Sequence, residues 1–161
     1  MALPCNHGLE CKRHFLPETT DPSCLRALST ERNKETVRRY LEEVWNRGRI
    51  EESAAYLAPG YLRHIGPGTE PLDTEGQKTR LESFRNAFPD VSLQIEDMVA
   101  EGDLVAFRFI LSGTHRGAFQ GIEPTGKTVS VPGLDLVRLK DGLLTEHWGG
   151  ADLNQLKAQL G

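Results

Sequence analysis

Excess positive charge is missing from this sequence. Nineteen Lys and Arg stand against 23 Asp and Glu, for a net charge of −4, and the basic residues form no stripe. No nucleic-acid partner is expected, because such binding needs clustered cations to displace counterions from phosphates. Long apolar runs are missing too. None approaches the ~20 residues that cross a bilayer, so no membrane contact is expected. The opening stretch MALPCNHGLECKRHF is interrupted by His7, Glu10, Lys12 and Arg13 and offers no signal-peptide core. A soluble, cytoplasmic protein is expected. Cysteine is scarce: Cys5, Cys11 and Cys24 are all the chain has. An odd number without an export signal makes a poor disulfide framework. Cys5, His7, Cys11 and His14 are soft metal-ligand types, but their spacing fits no zinc module. Residues 1–30 are read instead as a flexible N-terminal extension, and residues 31–161 as one domain with its own core.

What is present is a run of helices followed by a run of strands. A helix is expected from Ser29 or Thr30, with Glu31 in its first turn where the helix dipole favours an acid. Val37, Tyr40, Leu41, Val44 and Trp45 recur at helical spacing, and Gly48 fits the stop. A second short helix is expected over IEESAAYL, ended by Pro59-Gly60. A third, capped by Asp73 or Thr74, carries Leu81, Phe84 and Phe88 on one face and closes at Pro89. From Val91 the period changes to that of strands: VSLQIEDMVA, LVAFRFILSGTH, KTVSVPGLDLVRLK and LLTEHWGGAD, with Asp141-Gly142 as a hairpin signal. LNQLKAQLG reads as a terminal helix. The layout is α+β: a curved antiparallel sheet packed against N-terminal helices. Such a sheet can close over its helices as a cone that encloses a pocket. Gly113, Gly133 and Gly149 fall in or beside strands, where glycine marks bends or bulges.

One motif is misleading. Gly121 to Thr128 spells G-x-x-x-x-G-K-T, the pattern of a phosphate-binding loop. That loop must follow a strand and open a helix; here a strand comes next, so the stretch is read as a connection rimming the pocket.

The segments AFPD, GTHRGAFQGIEPTGK, GLDLVRLKDG and EHWGGADLNQLKAQLG, with YLRHIGPG upstream, carry a resemblance. Together they resemble the SnoaL-like polyketide cyclases, within the nuclear-transport-factor-2-like superfamily, over about residues 31–161. The resemblance implies a cone-shaped α+β barrel and a homodimer through the outer sheet face. It implies an intramolecular aldol ring closure of an apolar, polyketide-like carbonyl compound. It implies no metal and no organic cofactor, with an acid/base aspartate in the pocket. Asp135, in GLDLVR, looks like that aspartate.

The residues themselves fit this chemistry. With period-two alternation, Val129, Val131, Gly133, Asp135 and Val137 share one strand face. Burial there is expected to raise the Asp135 pKa toward the range a general acid/base needs. His115 shares a face with Val105, Phe107, Phe109 and Leu111, and His147 faces away from Glu146 and Trp148. His64 lies in the loop expected at the pocket mouth. His64, His115 and His147 are candidate orienting or proton-sharing groups; their wide spacing is unlike a local zinc pair. Tyr40, Trp45, Phe84, Phe107 and Trp148 are candidate ligand-binding aromatics. Arg108 and Arg138 are read as outer-face residues. The competing functions are a non-catalytic binder of a small apolar molecule, a ketosteroid-isomerase-like enzyme and an epoxide hydrolase. The hydrolase needs an Asp-Arg-Asp set that the residues flanking Arg108 do not supply.

Overall fold

The computed structural model describes residues 21–161. Cys5, His7, Cys11 and His14 lie outside them; Cys24 is an exposed free thiol. Helix α1 spans Pro22–Tyr40 and so begins before Ser29. Asp21 caps it by accepting the Ser23 N–H at 2.9 Å. Pro22 fills the first turn, where a missing N–H costs nothing. The first turns are exposed, which is why apolar periodicity announces the helix only from Val37 on. Val37, Tyr40, Leu41, Val44 and Trp45 are all buried. The helix widens into a π-helical turn over Leu41–Asn46, with the Arg47 N–H reaching back to Glu42 O at 2.9 Å.

The second expected helix is shorter than the sequence suggests. A 3-10 segment covers Ile50–Ala55, and the chain then extends as strand β1, Leu57–His64. Pro59-Gly60 does not end an element; it sits inside this edge strand, where a missing N–H is tolerated and the pairing is irregular. Helix α2 (Thr74–Ala87) is capped by Asp73, which accepts from Gly76 N at 2.8 Å. Strands β2 (Ser92–Glu101), β3 (Leu104–Thr114), β4 (Thr128–Lys140) and β5 (Leu143–Ala151) form the expected meander. Helix α3 (Leu153–Leu160) closes the chain.

The sheet order is β1-β5-β4-β3-β2. Four strands run antiparallel, and β1 joins β5 in parallel through Arg63↔His147 and His64↔Trp148. The sheet is therefore mixed, with the first strand supplied from the helical half of the chain. Register shifts at Ile95/Asp97 and Arg138/Leu139 bend it toward the helices. The open edge of β2 is clamped by the Asn46 amide, which bonds both Leu93 N (2.8 Å) and Leu93 O (3.2 Å).

The inner face follows the period-two alternation. Val105, Phe107, Phe109 and Leu111 of β3, and Val129, Val131 and Val137 of β4, are buried beneath α1 and α2. Gly133 belongs to this face, but it marks no bulge. It pairs squarely with Phe109, and a Cβ there would lie 2.2 Å from the Phe109 ring. Gly149 does bend the chain: its φ is +99°, and a Cβ would lie 2.1 Å from Leu134 O. The glycine-rich stretch before β4 leads into a strand rather than a helix, so it lacks the context of a phosphate loop. No helix among the described residues is long and apolar enough to cross a membrane.

Candidate active site

Three neighbouring strands bring polar groups to one place on the inner face. β4 supplies Asp135, β5 supplies His147 and β1 supplies Arg63. All three side chains are buried, against the normal tendency of ionisable groups. His147 Nε2 lies 3.1 Å from Asp135 Oδ2. Arg63 Nη1 lies 2.8 Å from His147 Nδ1, and Arg63 Nη2 donates to Gly149 O at 2.9 Å. Tyr61 Oη is 3.1 Å from the same Nδ1. Arg63 Nη1 also lies 2.9 Å from Nε2, so it sits against both ring nitrogens; the carboxylate beside Nε2 favours the tautomer in which Nε2–H donates to Asp135 and Nδ1 accepts. Asp135 Oδ1 makes no hydrogen bond; Arg63 Nη2 is 3.6 Å away.

The electrostatics correct the expected direction for Asp135. Burial by itself pushes its carboxyl up, as the sequence suggests. His147, Arg63 and Arg80 outweigh that, and the pKa ends below the usual carboxylate value. His147 is pushed down to about 4, chiefly by burial, with both arginines adding to the shift against the pull of Asp135. At neutral pH the imidazole is neutral and the carboxylate ionised, so the arginines are the cations that balance it.

Asp135 lines a small internal gap of about 10 Å³, together with Trp45, Arg63, Arg80, Leu93, Phe109, Leu111, Gly150 and Ala151. A hollow is expected from the curved sheet; this one has room for about one water, against the ~300–1,000 Å³ of most ligand pockets. A roomier recess beside Asp21–Thr30, about 620 Å³, opens to solvent and holds none of the buried charged groups.

The structure gathers some of the expected site residues and separates others. Asp135 and His147 touch. His115 is buried elsewhere, just past the end of β3, where Nδ1 accepts from Thr125 N at 3.2 Å and the ring lies 5.2 Å from Phe88. His64 is on the other side of the sheet. It stacks on Trp148 at 4.9 Å and reaches Glu146 at 3.4 Å. Trp45 lines the gap. Phe84 packs edge-on against Trp45 at 5.6 Å, and the buried Tyr40 hydroxyl accepts from Gln77 at 3.0 Å. Phe107 lies beside Phe109 at 5.8 Å. Arg108 and Arg138 are outer-face residues, paired with Glu96 and Asp97, and with Asp103 and Glu146. No three His, Cys, Asp or Glu side chains come together as a metal-binding group among the described residues.

Three polar residues of the site were not singled out from sequence: Tyr61, Arg63 and Arg80. The signal for the first two was alternation in YLRH, masked by the proline and glycine before it. The signal for Arg80 was position: with Gln77, Leu81 and Phe84 it falls on the apolar stripe of α2, where a charge needs a reason.

The architecture is a mixed sheet wrapped on helices, with one acid held among buried donors on its inner face. The family model of the SnoaL-like polyketide cyclases matches residues 35–160, and the chain belongs to that family. It is 28% identical over 129 residues to aklanonic acid methyl ester cyclase AcmA of Streptomyces galilaeus, covering 76% of this chain and 87% of that enzyme. A solved protein of Acidithiobacillus ferrooxidans, assigned to the polyketide cyclases, is 33% identical with a TM-score of 0.72, over 80% of this chain and 94% of that one. AclR of Streptomyces galilaeus, assigned as a hydroxylase, is 27% identical with a TM-score of 0.74, over 82% of each chain.

Proposed function

We propose that this protein is a cofactor-free acid/base cyclase in which Asp135 moves the proton. The observation that carries this reading is Asp135, which lines the gap and whose buried Oδ1 has no hydrogen-bond partner. Buried polar atoms are normally satisfied, so an open one beside a cavity is a candidate for substrate. Asp135 begins ionised and takes a proton from carbon next to a carbonyl. The resulting enolate carbon attacks a second carbonyl of the same molecule, and one C–C bond forms. The new alkoxide then recovers the proton from Asp135. A carboxylic acid of lowered pKa is a ready donor in that last step. Nothing is oxidised and no atom is lost, so product and substrate have equal mass. His147 acts as a positioning residue: its Nε2–H holds Oδ2 and leaves Oδ1 without a partner. Walls of Trp45, Phe109 and Leu111 favour a flat apolar substrate held near its reacting geometry. Entry of such a molecule requires this closed gap to widen.

The epoxide-hydrolase and ketosteroid-isomerase readings each want a second interior acid, and Asp135 is the one buried carboxylate among the described residues. The homodimer reading rests on the outer face, where Leu134 is 64% exposed and Leu62 and Leu136 are also open. The direct test uses aklanonic acid methyl ester and related polyketide esters as substrates. A product of unchanged mass, formed by the parent protein and lost in Asp135→Asn with binding retained, supports the cyclase. Gain of one oxygen atom points to hydroxylation instead. Binding without turnover in both proteins favours the non-catalytic binder.

A further inference from the structure

Among the described residues, the gap is lined by two guanidinium groups, of the buried Arg63 and the half-buried Arg80, and by one carboxylate. Arg63 is engaged through both terminal nitrogens, with His147, Gly149 and Asp135 around it, although its Nε has no partner. Arg80 is different. It forms no ion pair within 4.0 Å among the described residues, and its Nη1 is buried with no hydrogen-bond partner. Its guanidinium carbon lies 4.9 Å from the centre of the Phe84 ring and 5.4 Å from that of Trp45. Aromatic rings therefore hold the group by its faces. What remains is the planar N–H edge, the part of arginine that binds a delocalised oxyanion. Asp135 attracts Arg80 at longer range, but no anion among the described residues lies within hydrogen-bond reach of its edge, so an oxyanion placed there would gain a charged hydrogen bond.

The place for that ligand atom is open. Gly150 lies between the two arginines: a Cβ on it would sit 3.5 Å from Arg63 Nη2 and 3.9 Å from Arg80 Nη2. With no side chain there, both guanidinium groups and Gly150 line the same small gap. We propose that Arg80, with Arg63 across Gly150, binds an anionic oxygen of the substrate, the carboxylate or enolate oxygen of a flat and otherwise apolar molecule. The ligand of this pocket is thus an acid or a readily enolised compound, where the sequence suggested a neutral apolar one. The inference deepens the acid/base reading of the same gap, yet it concerns binding alone and can fail separately.

The test compares probes of one shape and different charge: 2-naphthoate against neutral 2-naphthamide, by titration calorimetry at pH 7. The wild-type protein should prefer the carboxylate by about tenfold or more, the worth of a charged hydrogen bond. Arg80→Met, which keeps the bulk, should erase the preference, and Arg80→Lys should restore part of it. The anion of 2-acetylcyclohexane-1,3-dione distinguishes the sources: tighter binding than naphthoate assigns the subsite to an enolate, weaker binding to a carboxylate. Equal binding of naphthoate and naphthamide by the wild type overturns the proposal, as does failure of both anions to bind. A folded Arg80→Met protein that keeps the preference overturns it too. The wild-type comparison stands even where Arg80→Met does not fold. Turnover retained in Asp135→Asn would sink the catalytic reading and leave this one intact. Loss of turnover there, with charge preference unaffected by Arg80→Met, would do the reverse.

Discussion

Glu146 and His147 are adjacent in β5 and live in different media. On the outer face, Glu146 joins Arg138, which also meets Asp103 at 2.8 Å, beside the stacked His64 and Trp148. On the inner face, His147 joins Asp135 and Arg63. The residue types are nearly the same: an arginine, a histidine, a carboxylate. Outside, water screens the charges and each pair contributes little. Inside, each group has been stripped of water, and its partners decide its protonation state. Only on the side where a charge is expensive can a neighbour shift a pKa far, which is why the proposed acid/base is placed there.

The comparison breaks most visibly through activity. If the cyclase reading holds, Asp135→Asn should lower kcat by about 10²–10⁴-fold, measured as ring closure of a polyketide ester; Glu146→Gln on the outer face should leave it nearly unchanged. An equal loss in both variants would erase the distinction between the faces.

Stability gives the second cut. Arg63→Met removes the guanidinium that engages Asp135, His147 and Gly149 at once. It should cost about 3–5 kcal/mol, as breaking a buried ionic cluster does, measured by urea denaturation. Arg138→Ala, at an exposed pair, should give the smaller shift, and high salt should shrink it further.

Acid titration comes next. The folded-state pKa of His147 is depressed to about 4, so between the ordinary imidazole range and that value the unfolded chain binds a proton that the folded one does not. Stability therefore falls as pH drops through that window. The Asp135 carboxyl, also depressed, adds a further loss at still lower pH. His147→Gln should be less stable at pH 7 and should lose less between pH 6.5 and 4, read from thermal melts. A melting temperature insensitive to pH over that range in the parent protein would contradict the buried neutral imidazole.

The smallest expected effect is at the end of α2. Asp73→Ala removes the cap on Gly76 and should cost about 1 kcal/mol. Because α2 also carries Arg80, any charge preference of the pocket should weaken with it more than through the equivalent change at Asp152, which caps α3.

Much of this architecture was legible in the chain. Strict alternation in FRFILSGTH and TVSVPGLDLV placed Phe107, Phe109, His115 and Asp135 on the inner face, since period two leaves a strand one choice of side. The helical stripe from Val37 to Trp45 was equally plain. β1 was not: proline and glycine at 59 and 60 read as a stop, and only parallel pairing with β5 makes an edge strand of that segment. Losing β1 meant losing Arg63, and attention went to the wrong neighbour, His64, whose side chain points outward. The start of α1 was missed for a related reason, because its first turns contact little and so carry no apolar period.

By itself, the sequence determined the two periodicities, and with them the order of helices and strands and the side each strand residue faces. These are local matters, set by backbone geometry over a few residues. Tertiary structure alone decided the charge states of Asp135 and His147 and the isolation of Arg80. Those depend on which groups, dozens of residues apart in the chain, end up within a few ångströms of one another and out of water.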